Sequence, residues 1–248
     1  MPPISIQPYT VRDLFAAGKG EETLEAIADL GFTGVEGVPG GFDAASFRRW
    51  LDDHGMRSSS WFGPMPTKDN LDESCRTLET LGTRWWTSGW WIPQLETPEV
   101  IEKNASELAG LLPKIRERGF DFALHNHWME YEDRDGKLAI ERILEAAPDL
   151  KLELDIYWAS NFAAHRSEEI AAKYADRIPL MHVKDGPLVR DEPMLPLGQG
   201  KVDVTACVRA ANPEWLIVEL DAYDGDMMDA VAKSFRYLVD NGLGKPRE

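Results

Sequence analysis

The chain has 248 residues, 43% of them hydrophobic and 28% charged, with 27 Lys and Arg against 43 Asp and Glu for a net charge of −16. Such a balance suits a globular protein with a sizeable core, while so acidic a surface repels nucleic-acid backbones and anionic membranes and argues against both as partners. Cys75 and Cys207 form no CxxC pair, so neither a disulfide framework nor a zinc knuckle is expected, and MPPISIQPYTVRD has no basic stretch ahead of a long apolar run, which points to a cytoplasmic protein.

Along the chain one unit repeats: an amphipathic helical stretch ends in Gly and runs into a short apolar strand. It reads EAIADLGFTGVEGV, then RRWLDDHGMRSSSW, CRTLETLGTRWWTS and LLPKIRERGFDFALH. Gly31, Gly55, Gly82 and Gly119 fall where a helix closes on a left-handed residue, a conformation that costs glycine least. Leu71, Cys75 and Leu78, like Met228, Val231, Phe235 and Leu238, step by three and four, the period of one helix face. Strands are expected near 4–8, 33–38, 56–61, 84–88, 120–126, 150–155, 178–184 and 215–220, each followed by a helix, with a short one after Asp203.

Alternating strands and helices require a parallel sheet. Eight units at about 31 residues each match a closed (β/α)8 TIM barrel, and a doubly wound open sheet is the alternative. No linker or composition shift divides the chain, so residues 1–248 read as a single TIM-barrel domain. The longest irregular stretch, 185–202, follows the seventh strand and has the character of an active-site loop.

In such a barrel the active site lies at the C-terminal strand ends. The fourth strand runs into Trp90 and Trp91; the fifth ends in His125, Asn126, His127 and Glu130; the sixth in Glu153, Asp155 and Trp158; the seventh in His182, Lys184 and Asp185; the eighth in Glu219 and Asp221. Residues two apart share a strand face, so four consecutive strands aim paired ionisable groups at one mouth. Groups of that kind are costly to bury unless they are paired or hold a cation. Imidazole and carboxylate donors together suit a divalent metal (Mn, Zn, Co, Mg or Fe). Trp90, Trp91 and Trp158 offer apolar faces for sugar C–H groups, whereas Trp50 and Trp215 read as core. GVPGG at 37–41 and GQG at 198–200 fit neither the P-loop nor the dinucleotide fingerprint and read as loop glycines.

These motifs, in order, resemble the sugar phosphate isomerase/epimerase superfamily of xylose-isomerase-like TIM barrels: ISIQPYTVRD, LGFTGVE, HNHWMEY, LELDIYW, RIPLMHVKDG, LGQGKVD and IVELD. The resemblance implies a metal held by Glu, Asp, His and Glu from the fifth to eighth strands. Asp155, His182 and Glu219 carry over directly. At the fifth strand relatives read LENH where this chain has His125, so the ligand is either His125 or Glu130, with Glu130 preferred. His127 and Lys184 then become substrate contacts, and Asp185 an organiser of the following loop. The activity implied is isomerisation or epimerisation of a ketose or keto-sugar through an enediolate, with Glu130 and Glu219 as acid/base pair. A lyase acting on a keto-polyol or keto-glycoside, and a sugar-binding homologue without catalysis, are the alternatives. A DNA-repair branch shares the fold, but the net charge of −16 disfavours it. The expected partner is a small sugar or polyol, and a homo-oligomer is compatible with the sequence.

Overall fold

The computed structural model describes residues 1–247. Its strands are β1 (Ile4–Ile6), β2 (Gly34–Val35), β3 (Arg57–Ser58), β4 (Trp61–Phe62), β5 (Trp85–Gly89), β6 (Asp121–His125), β7 (Lys151–Asp155), β8 (Leu180–Val183) and β9 (Trp215–Val218). All pairings are parallel, in the spatial order β3-β2-β1-β9-β8-β7-β6-β5-β4. β3 bonds only to β2 and β4 only to β5, yet both belong to the stretch 57–62. The expected third strand is therefore one strand broken at Ser59–Ser60, handing over from one neighbour to the other. The sheet curls into a nearly closed barrel of the expected class.

Helices cover the outside because each buries one stripe. Gly20–Leu30 buries Leu24, Ile27 and Ala28, and Met227–Asp240 buries Val231, Phe235 and Leu238. The helix-ending glycines behave as the spacing predicts: Gly31, Gly55, Gly82 and Gly119 have φ of 101°, 62°, 69° and 86°. The helix after Asp203 is short, Val204–Ala211, as expected.

Strand alternation sorts the side chains into two compartments. Leu124, Leu152, Leu154, Met181, Val183 and Val218 join the helices in the large outer core. The opposite parity faces inward. Trp85, Ala123, Leu180 and Ile217 form a small separate apolar cluster at the bottom of the barrel. Two residues further along the same strands come Thr87, His125, His182 and Glu219, all buried. An apolar plug thus underlies an ionic layer, which forms the floor of the mouth.

Candidate active site

His182, at the middle of the floor, is buried and bonded through both ring nitrogens. Nδ1 lies 2.7 Å from Glu219 Oε2 and Nε2 lies 2.7 Å from Glu36 Oε2. Glu153 Oε2 is a further 3.4 Å from Nε2. Burial opposes charge on the ring, but the carboxylates of Glu36 and Glu219 bonded to it outweigh burial and raise the imidazole well above its ordinary range, so with no cation bound it donates at both ends. Glu36 ends β2. Burial works against its charge, but the charge and hydrogen bond of His182 keep it below the usual carboxylate range. Gln7 Nε2 donates to its Oε2 at 2.8 Å and Ser60 Oγ to its Oε1 at 2.5 Å.

Lys184 is the second cation of the floor. Its Nζ sits 2.8 Å from Glu219 Oε2, 3.0 Å from Asp155 Oδ2 and 3.0 Å from Asp221 Oδ1. Burial opposes its charge, and the three carboxylates reverse that effect and raise the ammonium well above its ordinary value. Glu219, buried but flanked by Lys184 and His182, is held below the usual range and remains ionised.

The other carboxylates are held less well. Burial and the neighbouring charge of Glu36 push Glu153 well above its normal range, and neither of its oxygens has a hydrogen-bond partner. Burial pushes Asp155 up to about 6 against the pull of Lys184. Its Oδ1 caps the turn that follows β7 by accepting from the backbone N–H of Tyr157 and Trp158, while Oδ2 makes no hydrogen bond. His125 Nδ1, also without a hydrogen-bond partner, is 3.3 Å from Glu153 Oε2. Burial, then the positive charge of His182, drives His125 well below the ordinary imidazole range. It is neutral and able to act as a ligand.

Among the described residues, two sets of three offer ligand atoms lying within 4.8 Å of one another: His125, Asp155 and His182, and Glu36, Glu153 and His182. In the first set one unpartnered buried oxygen, Asp155 Oδ2, and the neutral imidazole of His125 are donors suited to a divalent cation, and His182 would join them on releasing a proton. Glu130 belongs to neither set. It is fully buried, with Oε2 accepting the His127 backbone N–H at 2.9 Å and Oε1 unpartnered. Burial raises its carboxyl to about 8. Glu219 also lies outside both sets, although it touches His182.

Above the floor opens a cavity of about 1140 Å³, lined by Glu36, His125, His127, His182, Lys184 and Glu219 below and by aromatic side chains above. His127 is neutral, brought down to about 4 by burial and by Lys184, and Trp91 packs on its ring at 4.6 Å. Trp158 lines the wall with its indole N–H donating to Asp221 Oδ2 at 3.0 Å. Trp128, Trp158 and Phe162 pack on one another, with the Arg190 guanidinium 4.2 Å over Phe162.

The two adjacent tryptophans part company. Trp91, 59% exposed, stands at the mouth, whereas Trp90, 4% exposed, is packed in the outer core and does not reach the active-site cavity. Two consecutive residues just past a strand face opposite ways, so Trp91 lines the mouth while Trp90 lines a neighbouring cavity instead. Trp50 is buried in the core as expected. Sequence reasoning passed over Glu36, because the search for ligand-type strand ends began at the fifth strand. The signal was present, since VEG places a carboxylate at the end of a buried apolar strand.

Residues 24–240 match the family of xylose isomerase-like TIM barrels. Three solved structures are similar in fold. A sugar phosphate isomerase/epimerase from Parabacteroides distasonis ATCC 8503 superposes with a TM-score of 0.78 at 20% identity, over 98% of this chain and 96% of that one. A probable 3-DHS dehydratase from Bacillus anthracis gives 0.72 at 11% identity, over 96% and 99%. The IOLI protein with a bound zinc atom gives 0.70 at 16% identity, over 96% and 97%. No curated protein matches the chain. With the match spanning most of its length and the ionic floor set at the C-terminal mouth of the barrel, the chain belongs to the xylose isomerase-like TIM barrel family.

Proposed function

We propose that the protein is a metal-dependent isomerase or epimerase of a ketose or keto-sugar, working through an enediolate. The observation that carries this reading is the convergence of His125, Asp155 and His182 at the floor of an open cavity, with His125 Nδ1 and Asp155 Oδ2 buried and without hydrogen-bond partners. His125, Asp155 and His182 would hold a divalent cation beside Glu219, and such an ion would supply Lewis-acid stabilisation of the charge that develops on the substrate.

The remaining chemistry belongs to the side chains. Glu219, ionised and lining the cavity, takes the proton from the carbon next to the carbonyl, and that C–H electron pair moves toward oxygen to give the enediolate. The ammonium of Lys184 places positive charge beside the developing oxyanion. Neutral His127, backed by Trp91, hydrogen-bonds a substrate hydroxyl. Glu130, raised to about 8 by burial and bonded to the His127 backbone N–H behind the cavity lining, is assigned as the second acid/base group. A proton returned to the opposite face of the same carbon gives an epimer, and to the neighbouring carbon an isomer. A second reading, loss of a β-substituent from the same intermediate, is favoured by the volume and aromatic walls of the cavity, which suit a bulky substrate.

Incubation of Mn- or Zn-loaded protein with a panel of ketoses and inososes in D2O, followed by NMR, tests the proposal. Deuterium should enter a carbon next to the carbonyl. Absence of both stoichiometric metal and exchange across the panel would leave a sugar-binding protein.

A further inference from the structure

Beside the active-site cavity lies a second one, of about 940 Å³, between the segment after β4 and the helix Pro98–Ala109. The two are not separate features. Met65, Gly89 and Trp91 line both, so the exposed indole of Trp91 stands as the partition between them. The first cavity, about 1140 Å³, already exceeds the roughly 300–1,000 Å³ typical of sites for drug-sized ligands, and a single sugar ring leaves most of it unfilled.

The two cavities differ in chemistry. The first has an ionic floor and aromatic walls. The second mixes apolar surface from Trp90, Leu108 and Leu111 with the exposed hydrogen-bonding side chains of Lys68, Asp69 and Ser106. Mixed donors and acceptors on the far side of a flat indole match a ring bearing many hydroxyls. Ile92 extends the apolar ledge beside Trp91 and is 61% exposed.

We infer that the substrate is a two-ring glycoside of the ketose, with the keto-sugar on the ionic floor and the second sugar ring crossing Trp91 into the second cavity. This rests on the enolising, metal-dependent reading of the floor but adds the substrate class. Trp91 would stack the C–H face of the linked ring, and the polar lining would take its hydroxyls. No bond to the second ring breaks in isomerisation or epimerisation, so the second ring contributes binding and orientation only.

Two readouts separate this inference from the reading beneath it. Calorimetry on Mn-loaded protein compares isomaltulose and lactulose with fructose. At least one disaccharide should bind ten-fold or more tighter than the monosaccharide. That advantage should shrink several-fold in Trp91→Ala and in Ser106→Trp, which fills the second cavity from an exposed helix position. Fructose binding as tightly as both disaccharides, or an advantage untouched by both variants in folded protein, would overturn the inference. Deuterium uptake from D2O into the same sugars is read separately. If the disaccharide advantage holds while no sugar exchanges, the two-ring inference stands and the enolisation reading fails.

Discussion

Asp185 and Glu153 are buried carboxylates only a few residues apart in space along adjoining strands, and they are treated in opposite ways. Asp185 follows β8 and accepts four backbone N–H groups, from Gly186, Gly198, Gly200 and Val202, at 2.8–3.0 Å. The approach is so close that a Cβ on Gly200 would sit 2.1 Å from Asp185 Oδ1. The glycines of GQG thus cradle an anion supplied by the chain itself. Glu153, on the floor, has no hydrogen-bond partner for either oxygen. A buried polar group that has all its partners organises structure; one that lacks them is held for something that arrives later.

The contrast can be tested, beginning with the largest effect. Glu219→Gln keeps shape and removes basicity, so deuterium exchange should fall by about 10²–10⁴-fold, the contribution of a general base. Thermal stability should fall as well, because the change also takes a counter-charge from the buried His182 and Lys184. Exchange that survives in Glu219→Gln would move the proton-transferring role to another residue.

Asp185→Ala leaves four backbone donors without their acceptor. We expect a loss of about 2–5 kcal/mol in denaturant unfolding, with faster hydrogen exchange confined to 186–202. If stability is unchanged, the loop does not depend on that carboxylate.

Glu130 supplies a pH-dependent test. In the folded protein its carboxyl is raised from 4.5 to about 8. Between those values the unfolded chain has shed a proton that the folded chain keeps, so this group makes stability fall as pH rises. At its steepest the slope is about 1.4 kcal/mol per pH unit. Glu130→Gln retains an acceptor for the His127 N–H and should flatten the decline when metal-free protein is unfolded at a series of pH values. Identical slopes for the two proteins would place the carboxyl near its ordinary value.

The smallest effect is expected from Glu153→Gln. Glu153 is held protonated by burial and by Glu36, so a neutral near-isostere should change stability by no more than about 1 kcal/mol. A loss as large as that of Asp185→Ala would erase the distinction between the two carboxylates.

Much of this was legible in the sequence because the same helix-glycine-strand unit recurs along the chain. Gly31, Gly55, Gly82 and Gly119 mark helix ends, and the two-residue pairing of His125 with His127, Glu153 with Asp155 and His182 with Lys184 announces an inward face. The role of Asp185 was also readable from its place in front of a long loop. Trp90 was not, since orientation past a strand end depends on how the next turn leaves the sheet. Glu36 was missed because it comes from a strand far away in sequence, and closure of the barrel is what carries it to His182. The position of Glu130 depends on the path of residues 126–131, which no periodicity governs.

The break at Ser59–Ser60 has a dynamic consequence. Elsewhere around the barrel a strand shares its ladder with neighbours on both sides, but here two short pieces, Arg57–Ser58 and Trp61–Phe62, each hold one neighbour. Pairings of only two registered residues on either side make this a weakly laddered part of the wall, the kind of place where local opening costs least. Ser60 donates to Glu36, and Glu36 in turn holds His182. The break in the wall is thus joined to the floor through one hydrogen bond, while Gln7 and His182 hold Glu36 from the other side.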